Sequence, residues 1–179
     1  MINSKEIDLH GPPTSWIENL ALEELNMEES GIISYNDQSD PLPYLEESSI
    51  ELVSRIRERI EFYLNKFNFY RGGRDPSASV KIFKISNTVN DFMLFRNSLK
   101  LVISRKTPAV IGVGLFSNTG GIFPARATAV DAPSTNLYHE IVAHVGPFNE
   151  ISWRFEGEPV NVEAMVKHYL TEFIKHSAK

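Results

Sequence analysis

The sequence predicts an α+β domain: an antiparallel meander of six or seven strands, with two N-terminal helices and one C-terminal helix packed on one face. Three observations lead there. Two capping-box patterns, each followed by apolar residues at three- and four-residue spacing, lie before residue 52. From about residue 79 to 156 the chain becomes a series of short β-rich runs. The turns between them are too short for the helical crossovers that parallel strands need, so the runs are joined as hairpins. Within the last run, Ile151, Trp153 and Phe155 alternate with Glu150, Ser152, Arg154 and Glu156, the pattern of a strand with one wet face.

Taken in order, residues 1–13 are irregular and end in Gly11-Pro12-Pro13. Ser15 with Glu18 opens a helix through about Ser30, with Trp16, Ile17, Leu20, Ala21 and Leu25 on one face and Gly31 as its stop. Residues 31–46, containing Asp40-Pro41-Leu42-Pro43, read as a loop. Ser48 with Glu51 opens the strongest helix, 48–67, whose stripe is Ile50, Val53, Ile56, Ile60, Leu64 and Phe67. Arg71-Gly72-Gly73-Arg74-Asp75-Pro76 breaks it. Strands are expected near 79–86, 91–96, 98–105, 108–117, 122–129, 138–145 and 149–156. A final helix runs from Asn161 to His176, with Val162, Val166, Tyr169, Leu170 and Phe173 as its buried stripe.

Charge is sorted along the chain. Residues 1–53 carry 12 acidic groups against Lys5, residues 54–106 carry 12 basic against four acidic, and residues 107–179 carry five basic against seven acidic. The chain is therefore read as an acidic arm, 1–46, joined to an α+β domain, 47–179. Basic faces collect anions, nucleic acid or acidic partners. The sequence contains no cysteine, which excludes disulfides, thiolate metal sites and a cysteine nucleophile. No run reaches the roughly 20 apolar residues of a membrane helix. The polar start has no apolar signal-peptide core. The expectation is a cytoplasmic protein with no membrane partner.

The motifs each have a functional and a bland reading. His139-Glu140 with His144 resembles a zinc-protease helix, but the i, i+5 spacing would splay the two imidazoles about 140° apart on a helix. On a strand they point to opposite faces, so no metal is assigned. Gly112-Val113-Gly114 is a fragment of a dinucleotide fingerprint without a following helix to hold a pyrophosphate, and is read as a strand with a close neighbour. Arg71, Gly72, Gly73 and Arg74 form the candidate anion site: successive glycine N–H groups and two guanidinium forks suit a phosphate or carboxylate. Their bland reading is a helix stop.

Lys81, Lys84, Arg96, Lys100, Arg105 and Lys106 are interleaved with Phe83, Phe92 and Phe95, a composition suited to single-stranded nucleic acid if these residues share a sheet face. The aromatics are expected to face the core, and nucleic acid ranks low among partners. Asp91 and Glu140 read as strand-end or cross-strand ion-pair partners rather than general acids. No catalytic residue and no cofactor is implied. The leading expectation is a non-catalytic binding or assembly module whose partner is a protein. The alternative is a small-ligand binder or enzyme with a pocket between sheet and helices. Strands 138–145 and 149–156 are expected to pair with Ile141 opposite Trp153, Ala143 opposite Ile151, His139 opposite Phe155, Glu140 opposite Arg154 and His144 opposite Glu150.

Overall fold

The computed structural model describes residues 14–33, 40–117 and 137–178. The chain divides into two units, 1–38 and 39–179. In the first, helix α1 (Ser15–Ser30) is capped at its C-terminus by Gly31, whose positive φ of 64° lets its N–H donate to the Met27 carbonyl. Ser15 is inside the helix and Thr14 is the N-cap, with its hydroxyl 3.3 Å from a Glu18 carboxylate oxygen. No residue of α1 is buried.

In the second unit, helix α2 (Leu42–Gly72) starts six residues before the expected position. Pro41 is its N-cap and Pro43 lies in its first turn, where a missing N–H forfeits no helical bond. The loop expected over 31–46 therefore gives way to helix at Leu42, and the Ser48 capping box is not formed. The early start extends the buried face to Leu45, so that it runs Leu45, Ser49, Leu52, Val53, Ile56, Ile60 and Leu64. Near its other end, Asn68 accepts from the Val80 N–H and donates to the Val80 carbonyl at 2.8 and 3.0 Å, and so guides the chain out of the helix.

Seven antiparallel strands follow in sequential order: β1 (Lys81–Lys84), β2 (Phe92–Arg96), β3 (Leu99–Thr107), β4 (Val110–Ser117), β5 (Leu137–Val145), β6 (Ile151–Phe155) and β7 (Glu158–Pro159). Helix α3 (Val162–His176) closes the fold, with the Asn161 side chain accepting from the Ala164 N–H. The α+β class, the helix order and the antiparallel meander agree with the sequence reading. The strand expected at 122–129 lies outside the described residues. The seventh strand is instead the two-residue β7, which turns back from β6 through Glu156 and Gly157 with φ of 50° and 89°, the two positive values of a type I′ turn.

Alternate residues of the sheet enter one core. Phe92, Leu94, Leu101, Ile103, Ile111, Val113, Ile141 and Trp153 pack with Leu52, Val53, Ile56, Ile60 and Leu64 of α2 and with Val166, Leu170 and Phe173 of α3. Arg96, expected at a strand end among the basic residues of a nucleic-acid face, is instead buried: it donates to the Ile174 carbonyl at 3.3 Å and lies over the Phe67 ring at 5.4 Å. Burial lowers the pKa of its guanidinium, and the neighbouring Arg71 lowers it further.

The β5–β6 register differs from expectation. Ala143 faces Trp153, Val145 faces Ile151, Val142 faces Arg154 and His144 faces Ser152. The shift is two residues, so every side chain keeps its face and the apolar pattern is satisfied equally by both registers. The connecting loop makes the difference: Gly146 N–H donates to the Glu150 carbonyl at 2.7 Å around a turn in which Phe148 and Asn149 have φ of 57° and 58°. This register would set Glu140 opposite Glu156, a like-charge pair, but the pair does not form because the β5–β6 ladder stops at Val142 and Arg154 and β6 ends at Phe155.

Candidate binding surfaces

The pairing registers sort the strand residues onto two faces. Phe92 enters the core, whereas Phe83 and Phe95 point to the opposite, outer face. The expectation that these aromatics all face inward is therefore corrected. One row across the outer face runs Lys81, Phe95, Lys100, Phe116, and the next runs Phe83, Met93, Val102, Gly114, Tyr138. Phe83, Phe116 and Tyr138 are 43%, 39% and 45% exposed.

Gly112 and Gly114 explain how two of these rings lie. A Cβ added at Gly114 would sit 2.3 Å from the Phe116 ring, and one at Gly112 would sit 2.6 Å from the Tyr138 hydroxyl. Both aromatic side chains therefore lie down on the sheet across positions that have no side chain. This is the close neighbour that the glycines of Gly112-Val113-Gly114 signal in the sequence. Lys106 bends over the same ground, with its ammonium 5.4 Å from the Tyr138 ring centroid.

On the helical side, α2 and α3 leave an open groove of about 620 Å³ lined by Tyr63, Phe67, Leu170, Thr171 and Ile174, with Lys167 and Lys175 along it. Glu163 closes one end. Its two carboxylate oxygens take Arg59 and the Tyr63 hydroxyl, each at 2.7 Å, and the bond to Glu163 raises the Tyr63 pKa above the ordinary phenol value. Phe62 and Tyr63 meet edge to face beside it, both exposed.

A smaller pocket of about 340 Å³ lies where the β5 and β6 ends meet α3, lined by His139, Phe155, Glu158, His168 and Tyr169 among others. His139 Nδ1 is 2.7 Å from the Tyr169 hydroxyl, and its ring contacts Phe155 at 5.0 Å. Burial pushes the Tyr169 phenol up to about 12, so it keeps its proton and is placed to donate to Nδ1. His144 is exposed on the other face of β5, and no group of three metal-ligating side chains occurs among the described residues.

The Arg71, Gly72, Gly73, Arg74 quartet lies at the end of α2. Gly72 is helical and Gly73 has helical φ and ψ of −66° and −20°, so their backbone does not alternate in handedness as an anion-holding nest does. A Cβ on Gly72 would sit 2.2 Å from the Ser79 hydroxyl, which gives this glycine a packing role. Arg71 and Arg74 are exposed. Asp91, buried, accepts from the Arg105 N–H at 2.9 Å. The Arg105 side chain in turn donates to Ser49 and pairs with Glu46. Asp91 is thus a brace between strands β2 and β3, and Arg105 ties β3 to α2.

Among the described residues no helix is long and apolar enough to cross a membrane. The chain matches no protein-family model, no curated protein and no solved structure.

Proposed function

We propose that this chain is a cytoplasmic, non-catalytic binding module, and that its partner is a protein that lays an amphipathic helix in the groove between α2 and α3. The observation that carries the reading is the groove itself: an apolar floor of Phe67, Leu170 and Ile174, open along one side and edged by exposed aromatics. Helix-in-groove recognition needs such a floor to receive apolar anchors at i, i+4 and i+7. The rim supports a choice of partner charge. Glu163 is already engaged, whereas Lys167 and Lys175 take no salt bridge among the described residues. They stand two helical turns apart, about 12 Å. An incoming helix with acidic residues at that spacing complements them.

Panning a library of helical peptides against the full chain tests this. Enriched peptides should carry the apolar repeat with flanking acidic residues. They should lose binding to Thr171→Trp, which fills the groove from an exposed position, and to the double reversal Lys167→Glu with Lys175→Glu. Lack of enrichment, or equal binding by the Thr171→Trp variant, would remove the reading.

The pocket beside His139 favours a second reading, a small-ligand site. Its volume falls at the low end of the range of ligand pockets, and it combines aromatic walls with a few polar groups. A fragment screen by ligand-observed NMR, repeated on His168→Leu and Tyr169→Phe, checks it: hits that bind wild type and both variants alike would reject this site.

A further inference from the structure

We propose that the outer face of the sheet binds single-stranded RNA, with Phe116 and Tyr138 as stacking platforms and Lys81, Lys100, Lys106 and Arg154 as the phosphate-facing cations. Phe116 and Tyr138 lean over Gly114 and Gly112, with a Phe116 ring carbon 2.3 Å and the Tyr138 hydroxyl 2.6 Å from where a Cβ would stand, and both rings stay exposed above the sheet. Gly112 and Gly114 are two residues apart on β4, a separation of about 6.7 Å. That spacing suits two unstacked bases of an extended strand. Phe83, across the same row as Tyr138, extends the aromatic surface toward the β1 edge. Stacking of this kind accepts any base, because every base has a π face.

Charge separates this face from an ordinary apolar patch. The registers place Lys81 and Lys100 on either side of Phe95, and Lys106 over Tyr138. Arg154 stands on the same face opposite Val142, and its buried Nε has no hydrogen-bond partner. None of the four takes a salt bridge among the described residues, and Glu140 is the acidic side chain that the paired strands present there. The aromatic rows are thus bordered by cations on both sides, as a phosphate backbone flanking stacked bases requires. Among the described residues, the acidic groups of the first 53 positions lie in or beside helices α1 and α2 and not in the sheet strands, so the acidic net charge of the chain does not count against this. RNA rather than DNA is assigned because Ser104 and Glu140 flank Gly112 in the row between the rings and Arg154, where they offer acceptors to a 2′-hydroxyl.

The test is fluorescence anisotropy of a labelled oligouridylate about 12 nucleotides long, titrated with the full chain; single-stranded sites span roughly 4–16 nucleotides. Neutralising four phosphates should give a log–log salt slope near −3, so that affinity falls roughly 50-fold between about 50 and 200 mM salt. Phe116→Ala and Tyr138→Ala should each weaken binding roughly 5- to 150-fold. Lys81→Gln with Lys100→Gln should make the slope shallower by about 1.4. Gly114→Val keeps the Phe116 ring but displaces it from the sheet, and should lose as much as Phe116→Ala. Thr171→Trp, on the helical groove, should bind RNA like wild type, so failure of the groove reading leaves this one standing. No measurable binding at low salt, or wild-type affinity in both aromatic variants, would overturn the proposal. So would equal affinity for the matching DNA. Binding of a polyglutamate chain that fully competes with RNA and ignores Phe116→Ala would assign the face to an acidic polypeptide instead.

Discussion

Tyr169 and His139 show how little of a polar contact is visible along a chain. They are 30 positions apart and meet at 2.7 Å because β5 and α3 cross the same end of the core. In the sequence, Tyr169 reads as one more member of an apolar helical stripe, and the structure adds that its hydroxyl has one defined partner. The raised phenol pKa has a thermodynamic consequence. Below pH 10 both folded and unfolded chains hold the proton. Between about 10 and 12 the unfolded chain releases it first, so stability falls as pH rises through that window. Because the ring is only half-buried, solvent screening reduces the loss to roughly 1 kcal/mol. Urea titrations at several alkaline pH values should show a larger loss in wild type than in Tyr169→Phe. Identical alkaline profiles would show that the phenol titrates alike in both states.

At the scale of elements, the β5–β6 hairpin and α2 departed from the sequence reading for reasons that can be named. Capping boxes pointed to Ser15 and Ser48, yet helix entry is at Thr14 and Pro41. Ser48 instead accepts a hydrogen bond from the Trp153 indole at 2.9 Å, a tertiary use of a residue whose local pattern suggested a cap. In the hairpin, alternation specifies the face but not which even-numbered shift is adopted. The loop backbone decides, and it holds Phe148 fully exposed, at 102%, in a left-handed conformation that bulky residues disfavour. Phe148→Gly removes that cost and sacrifices no packing. After the entropic penalty of glycine, it should stabilise the fold by about 0.5–1 kcal/mol. A chemical denaturation midpoint that falls, rather than rises, would mean that the Phe148 side chain makes a contact in solution.

For the molecule as a whole, one core joins α2, α3 and the inner face of the sheet, and Ile60 stands in it at 1% exposure. Ile60→Ala should therefore cost roughly 2–5 kcal/mol, read from urea unfolding. A loss below about 0.5 kcal/mol would place that side chain at the surface. The same packing explains why the candidate surfaces are external. Core residues pack between the helices and the inner sheet face, and the α2–α3 groove, the small pocket at one end of α3 and the outer face of the sheet are all outside that packing.

Local patterning sufficed for the α+β class, the antiparallel order of strands and most of the buried stripes of α2 and α3. Each rests on local periodicity and short connections, which are properties of neighbours along the chain. Tertiary structure alone decided the β5–β6 register, the burial of Arg96 and the sharing of one outer face by Phe83 and Phe95. It also brought Phe116 and Tyr138 down onto two glycines. Those outcomes depend on which strand lies beside which, and on loop geometry that a period of two leaves open. A basic, aromatic segment names the components of a binding face. Only the pairing of strands from distant parts of the chain shows that lysines and aromatic rings share one side of the sheet.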